Sequence, residues 1–192
     1  MSRIAIPRMS EVPAETHATL RGLTKRLGWT PNTFLLMALS PDTLSAFIAL
    51  SGKLSRTLDV ATIESMGMVV SEGSGCDYCL QSHLMLGTRH GGLDAAELEL
   101  SRHGGSRDPK RAAAVRFAKA IADTRGKVSD EDIAAVRTAG FSDRDIVAIA
   151  GLTAQFLFTN FLNNIAQVEL DFPADVPALR DTYIREHAHV QG

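Results

Sequence analysis

The chain has 192 residues, a formal net charge of −2 at pH 7 and a hydrophobic fraction of 45%. This length and apolar content exclude an intrinsically disordered chain and predict a single domain spanning residues 1–192. The net charge is close to neutral and the sequence contains no basic stripe, so nucleic acid and anionic membranes are poor candidates as partners.

Neither a leader segment nor a membrane span is expected from the sequence. The longest uninterrupted apolar run, residues 34–39, is far shorter than the roughly 18 residues that a spanning helix needs. Residues 1–10 lack the continuous apolar segment and the small-residue cleavage site of a signal peptide. The two cysteines of the chain cannot form a disulfide framework. We therefore expect a cytoplasmic protein.

Helical signals follow one another along the whole chain. Thr30 and Ser40 each precede a proline, a favourable pair at the start of a helix, and the repeated Ser-Asp-x-Asp pattern at Ser129 and Ser142 is typical of a helix cap. No alternating pattern of β-branched residues predicts a strand. The fold class is therefore predicted to be all-α, a multi-helix bundle with helices over residues 13–28, 30–40, 40–56, 58–73, 76–90, 93–105, 108–126, 129–140, 142–170 and 177–192.

Both cysteines and one histidine lie within nine residues, in the sequence GCDYCLQSH. At about 100° per residue, Cys76, Cys79 and His83 point from one helix face within an arc of about 60°. The Gly-Ser-Gly sequence before Cys76 places Cys76 at the helix cap and Cys79 in the first turn, where the helix dipole favours a thiolate and favours Cys76 most. His83, one turn beyond Cys79, is placed to accept its proton. The spacing suits a redox pair that closes to a disulfide and reopens.

Glu64 lies twelve residues before Cys76, close to the apolar stripe of the preceding predicted helix. If the chain reverses at residues 73–75, Glu64 and His83 lie roughly 12 Å and 10 Å from the turn on two adjacent arms. A carboxylate at that height can orient or polarise the imidazole and make it a better base for a thiol.

A metal or cofactor site is the rival interpretation of these residues. Closed structural zinc needs four ligands, and the pair of cysteines with His83 supplies three. The remaining candidates are Glu64 and five remote histidines, namely His17, His90, His103, His187 and His189. Too few cysteines are present for an iron–sulfur cluster, and no nucleotide or flavin motif occurs. We expect neither metal nor cofactor.

The pattern formed by Glu64, Cys76, Tyr78, Cys79 and His83 resembles the alkylhydroperoxidase D-like branch of the carboxymuconolactone decarboxylase superfamily. Residues 30–54 and 158–173 are similar to the entry and closing helices of its peroxidase-related subgroup, so the resemblance spans about residues 30–175. It implies an all-helical, homo-oligomeric fold, with the Cys-x-x-Cys at the start of a central helix.

The resemblance also implies roles for the matching residues. Cys79 would attack a hydroperoxide, Cys76 would resolve the sulfenic acid to a disulfide, His83 would act as base and Glu64 would orient it. Tyr78 departs from the best-studied members, which carry a histidine at this position. Cys76 is the thiol that the helix dipole favours, whereas the relay favours Cys79, and the sequence leaves this conflict open.

The predicted function is a thiol-dependent peroxidase that reduces alkyl hydroperoxides and is regenerated by an external thiol or dithiol reductant. Two alternatives remain: a redox-responsive binding or adaptor protein, and a superfamily enzyme of decarboxylase or isomerase type. The cysteine pair argues against decarboxylation, because the decarboxylases of the superfamily lack it. Residues 34–40 and 155–162 are apolar almost all round, which predicts a homo-oligomer packed through helices.

Overall fold

The structure is a computed structural model that describes residues 2–174 and 176. A 3₁₀ turn over Ala14–Thr16 precedes the first α-helix. The helices of the described residues are α1 His17–Leu27, α2 Asn32–Met37, α3 Pro41–Leu54, α4 Val60–Gly73, α5 Asp77–Arg89, α6 Ala95–Arg102, α7 Pro109–Thr124, α8 Asp130–Thr138 and α9 Asp143–Ala166. No strand occurs among these residues, and the all-α prediction is confirmed. The helix predicted over residues 177–192 lies outside the described part of the chain.

Several helices begin after a capping residue whose side chain accepts a hydrogen bond from the first turn. Ser129 and Ser142 both form capping boxes, with Asp132 and Asp145 three residues later. The cap expected at Thr30 is wrong, because α2 begins at Asn32 and Pro31 precedes it. At its other end α9 stops at Ala166, four residues earlier than predicted, since the following glutamine adopts a left-handed conformation.

Helix α4 lies at the centre of the bundle and packs against α5, α6, α7 and α9. Its residues 62–71 are all buried, and Ile63, Met66 and Val70 join the main core together with side chains of α7, α8 and α9. Burying such apolar side chains contributes about 1.5–3 kcal/mol each. A carboxylate on this helix, such as Glu64, is therefore removed from water and requires a partner.

Helix α9 has one buried and one exposed apolar face. Among the described residues it is the one helix whose length and composition would allow it to cross a bilayer, yet Ile149, Leu152 and Phe156 belong to the main core, as in the core helix of a globular protein. On the opposite side runs an exposed stripe of apolar residues with helical spacing, here called the α9 stripe: Val147, Ala150, Ala154, Phe158, Phe161 and Ile165.

Candidate active site

A tight turn between α4 and α5 brings the cysteines into the core. Gly75 adopts φ +59°, a conformation that suits glycine, and the chain then enters α5 with Cys76 as its N-cap residue. The backbone N–H of Cys79 donates to the Cys76 sulfur at 3.3 Å. The two cysteines therefore lie close together, Cys76 at the N-cap of α5 and Cys79 in its first turn.

Two asparagines of α9 hold this turn in place. The Asn160 amide donates to the Val70 carbonyl at 3.3 Å and to the Ser74 hydroxyl at 3.1 Å. Asn164 donates to the Ser74 carbonyl at 2.7 Å. Because these bonds cross from α9 to the end of α4, the position of the cysteine turn depends on a helix that follows it by about 70 residues.

Both cysteines are free thiols and both are buried: Cys76 is 1% exposed and Cys79 is 4% exposed. The hydrogen bond from the Cys79 side chain lowers the pKa of Cys76, against the opposing effect of burial. Burial raises the pKa of Cys79 well above its usual range, and its hydrogen bond to Cys76 raises it further. Cys76 thus ionises more easily, in agreement with the dipole argument.

Access favours the other sulfur. A cavity of about 470 Å³ lies beside α5 and is lined by Cys79, whereas Cys76 is not among its lining residues. A substrate in this cavity meets the thiol that needs help in losing its proton. The conflict seen in the sequence is therefore present in the structure as two separate properties, ease of ionisation at Cys76 and contact with the cavity at Cys79.

His83 and Glu64 meet on the wall of the same cavity. Nδ1 of His83 lies 2.7 Å from Oε2 of Glu64, and both residues are 8% exposed. A carboxylate can only accept, so the neutral ring carries its proton on Nδ1 and keeps Nε2 as a proton acceptor. Phe156 packs edge-on against the imidazole, with ring centroids 4.9 Å apart. The proximity of these two residues, expected from helix geometry, is found in the structure.

Gly67 leaves the space in which the imidazole lies. A Cβ atom at this position would come within 2.3 Å of Nδ1 of His83, closer than atoms can approach without displacement. The α4 backbone and the His83 ring therefore touch because position 67 has no side chain. Sequence reasoning missed this residue, since nothing in a sequence signals a contact between a glycine and a ring sixteen residues later.

Asn163 is a second residue that the sequence analysis missed. Its amide Nδ2 donates to the Cys79 sulfur at 3.2 Å, and the residue is 4% exposed and lines the cavity. This bond lowers the pKa of Cys79, although less than burial raises it. The available signal was the occurrence of Asn160, Asn163 and Asn164 within an otherwise apolar helix.

Tyr78 joins the cysteine turn to the segment after α9. Its hydroxyl donates to Oδ1 of Asp171 at 2.7 Å, and its ring packs on Phe172 with centroids 5.0 Å apart. Burial, together with the neighbouring Asp171 carboxylate, raises the pKa of Tyr78 far above its usual range. The tyrosine therefore stays neutral and forms part of the cavity wall.

One further histidine of the zinc alternative, His90, lines the same cavity as Cys79 and His83. His17 approaches the Val12 carbonyl and His103 approaches Glu99, both away from the cavity. His187 and His189 fall outside the described residues. Within residues 2–174, no three histidine, cysteine or acidic side chains are grouped so that they could hold a metal ion.

Comparison with solved structures gives several close matches in fold. A peroxidase-related protein of Ralstonia eutropha JMP134, described as an alkylhydroperoxidase AhpD core, is 24% identical and superposes with a TM-score of 0.80 over 88% of this chain and 92% of its own. A peroxidase-related protein of Silicibacter sp. TM1040 is 25% identical, with a TM-score of 0.78 over the same shares.

A third match is the debrominase Bmp8, in a cysteine-to-alanine variant in complex with 2,3,4-tribromopyrrole. It is 21% identical, with a TM-score of 0.75 over 89% of this chain and 94% of its own. No protein-family model and no curated protein matches the sequence. Proteins of this fold thus include a debrominase beside the peroxidase-related ones. The structural neighbours of the chain are alkylhydroperoxidase D-like, peroxidase-related proteins of the carboxymuconolactone decarboxylase superfamily, and the chain has their all-helical fold.

Proposed function

We propose that this chain is a thiol-dependent peroxidase that reduces organic hydroperoxides through Cys79 and Cys76, with proton transfer by His83 and Glu64. One observation carries the proposal: the buried Glu64–His83 pair lines the same cavity as Cys79. A thiol whose pKa is raised by burial forms little thiolate by itself, so a base one helical turn away is what this sulfur needs.

The chemistry uses the cavity residues in turn. His83 takes the Cys79 proton, and the thiolate attacks the terminal oxygen of the hydroperoxide, ROOH. The S–O bond forms as the O–O bond breaks, giving Cys79 sulfenic acid and the alkoxide RO⁻. The alkoxide receives the proton from His83 and leaves as ROH. Glu64 stabilises the protonated imidazole during this transfer.

Cys76 completes the cycle. Its sulfur attacks the sulfenic acid, a disulfide forms and water leaves. Two further electrons must then come from outside the chain, and we propose an external thiol or dithiol as their source. A cytoplasmic location suits this cycle because that compartment supplies reduced thiols. We further propose a homo-oligomer, supported by the exposed apolar residues of the α9 stripe.

The cavity also supports a second candidate, the reductive removal of halogen from an aromatic ring. Its walls carry Trp29, Phe34, Phe47 and Phe172, which suit a flat ring, and the debrominase neighbour is bound to a brominated pyrrole. In balanced form, an aryl bromide and two thiols would give the arene, bromide, a proton and the disulfide. A thiol pair beside an apolar cavity can supply those two electrons.

One titration separates these functions from the adaptor and decarboxylase alternatives. Cumene hydroperoxide added to the reduced protein should remove two free thiols per chain for each molecule of cumyl alcohol formed, and added dithiothreitol should restart turnover. Release of bromide from 2,3,4-tribromopyrrole, without hydroperoxide reduction, would favour the second candidate. A single burst without turnover under any reductant would favour a redox-responsive adaptor. Activity that survives alkylation of both thiols would point to a decarboxylase or isomerase.

A further inference from the structure

One side of α9 carries polar side chains along the cavity. Gln155, Thr159 and Asn163 follow at intervals of four residues and all three line the cavity. Residues at this spacing lie above one another on a helix face, and the rise from the first to the last is about 12 Å. These residues are here called the α9 ladder. Asn163 lies at the end of the ladder next to the Cys79 sulfur, and Gln155 lies at the other end.

Two oxygen atoms of the ladder are buried and unpartnered. Asn163 uses its amide nitrogen on the Cys79 sulfur, at 3.2 Å. Its Oδ1 and the Oε1 of Gln155 have no hydrogen-bond partner among the described residues. A buried acceptor without a donor is unfavourable, and such groups are rare unless something else meets them. Both atoms are acceptors with almost no accessible surface, so a ligand that donates an O–H or N–H group to either of them must first shift the side chains that cover it.

We propose that the α9 ladder binds the substrate lengthwise, with Asn163 orienting the hydroperoxide at Cys79 and Gln155 accepting a hydrogen bond from a hydroxyl or amide group on the organic part. The inference rests on the proposed peroxidase function. Oδ1 of Asn163 accepts the O–H of the terminal peroxide oxygen, while its Nδ2 remains on the sulfur. One carboxamide thus touches both the nucleophile and the atom that it attacks.

This arrangement fits the chemistry without adding a reactant. The proton held by Asn163 stays on the oxygen that becomes the sulfenic acid, and the alkoxide takes its proton from His83. The bond from Nδ2 stabilises the Cys79 thiolate before attack. The preferred substrate is then a bulky and mostly apolar hydroperoxide that carries a second polar group two helical turns away. A cavity of about 470 Å³ is far larger than hydrogen peroxide requires, since a water occupies about 30 Å³.

The substrate class is tested with a matched pair of long-chain alkyl hydroperoxides, one with a terminal hydroxyl about 12 Å from the peroxide and one without it. We expect the wild-type protein to prefer the hydroxylated compound at least tenfold in kcat/KM, mostly through KM. Gln155→Met, which keeps the side-chain size, should abolish this preference while the plain hydroperoxide reacts as before or better. Equal kcat/KM values in the wild-type protein would overturn this part of the proposal.

The role of Asn163 is tested with Asn163→Leu and Asn163→Asp, and with Thr153→Val as the control on the same helix. Thr153 is buried and donates a hydrogen bond to the Ile149 carbonyl, but it does not line the cavity. Two quantities are measured: the rate of Cys79 sulfenic acid formation at high pH, and the midpoint pH of Cys79 alkylation by iodoacetamide.

Asn163→Leu should slow sulfenic acid formation at least tenfold even where Cys79 is fully ionised, and should move the alkylation midpoint upward. Asn163→Asp should also move the midpoint upward, because a carboxylate repels the thiolate. Thr153→Val should lower the thermal midpoint and leave the alkylation midpoint unchanged. A normal rate and midpoint in Asn163→Leu would overturn the proposal while the peroxidase function stands. A wild-type protein that reduces no hydroperoxide would instead overturn the proposed function.

Discussion

Nδ1 of His83 lies 2.7 Å from Oε2 of Glu64, although nineteen residues separate them along the chain. The contact is buried on α4 and α5, so its energy is little weakened by solvent or salt. It fixes the imidazole with one nitrogen committed to the carboxylate and the other available as an acceptor. The following predictions depend on this pair and on the thiols beside it.

Replacing Glu64 with glutamine should slow the oxidation of Cys79 by about 10²–10⁴-fold, the usual weight of general acid–base catalysis. The amide keeps the size of the side chain but removes the charge that stabilises the protonated imidazole. Stopped-flow measurement of a single turnover with cumene hydroperoxide checks this directly.

The matched control is Glu72→Gln on the same helix. Glu72 is held by Arg102 at 2.6 Å, away from the cavity. Arg102 keeps Glu99 as a second partner at 3.7 Å, so the thermal midpoint should fall only modestly while the single-turnover rate holds. Equal slowing by both variants would show that Glu64 acts only through stability.

Gly67→Ala should remove most of the activity without unfolding the protein. The new Cβ would lie within 2.3 Å of the His83 ring, and α4 is packed on several sides, so the imidazole must move away from Glu64. Circular dichroism should report unchanged helix content beside a rate as low as that of Glu64→Gln. The control is Gly22→Ala on α1, where no atom lies within 4 Å of the added group. That change should raise stability by about 0.5–1 kcal/mol and keep full activity.

The contrast between these residues shows what the sequence can predict. The proximity of Glu64 and His83 could be predicted because the helical rise fixes the height of each residue above a turn only a few residues long. Capping residues gave most helix starts for a similar reason, since each cap is a local contact. The predicted end of α9 lies four residues beyond the observed one. The helix ends because Gln167 adopts a left-handed conformation, and the sequence has no glycine there to indicate such an end.

Contacts between segments far apart in the chain could not be predicted from the sequence. Asn163 meets Cys79 across 84 residues, and Gly67 meets an imidazole only because two helices pack at one particular distance. Three asparagines in an apolar helix indicate that polar partners exist, but not which ones. The cavity itself is formed by α1, α2, α3, α4, α5, α9 and the segment after α9 together, and its shape follows from packing rather than from any single motif.

The two cysteines should fail in different ways when each is replaced by serine. Cys79→Ser should produce no alcohol from a hydroperoxide. Cys76→Ser should produce one equivalent and then stop, with a sulfenic acid on Cys79 that dimedone traps and mass spectrometry detects. Undiminished turnover by the double-serine protein would be incompatible with a thiol mechanism.

Alkylation of the reduced protein should depend on pH differently at each sulfur. Burial raises the pKa of Cys79, so its thiolate appears only at pH values above the ordinary thiol range, near 8.5. The hydrogen bond from Cys79 lowers the pKa of Cys76, so its thiolate appears below that range. Site-resolved mass spectrometry after iodoacetamide treatment over a pH series measures both midpoints. The urea-unfolded chain is the control, in which both midpoints should coincide at about 8.5. A Cys79 midpoint below that of Cys76 would contradict the prediction.

The α9 stripe should be an interface between copies of this chain. Phe161 and Ile165 are 57% and 62% exposed, and exposed apolar residues in a continuous row favour association. Phe161→Glu and Ile165→Glu should each lower the molar mass measured by light scattering after size exclusion. Ser45→Glu adds the same charge at an exposed position on α3 and should leave the mass unchanged. A wild-type monomer at micromolar concentration would refute the prediction.

In the proposed catalytic cycle, the order of events follows from the position of Cys79 on the cavity and of Cys76 behind it. A reductant arriving after oxidation meets Cys79, because Cys76 is 1% exposed and does not line the cavity. Attack there expels the sulfur of Cys76, whose lower pKa makes it the better leaving group. Oxidant and electron donor thus use one entrance and exclude each other. Double-displacement kinetics should result. A large excess of hydroperoxide should slow its own consumption, and a small thiol reductant should reduce the disulfide faster than a bulky one.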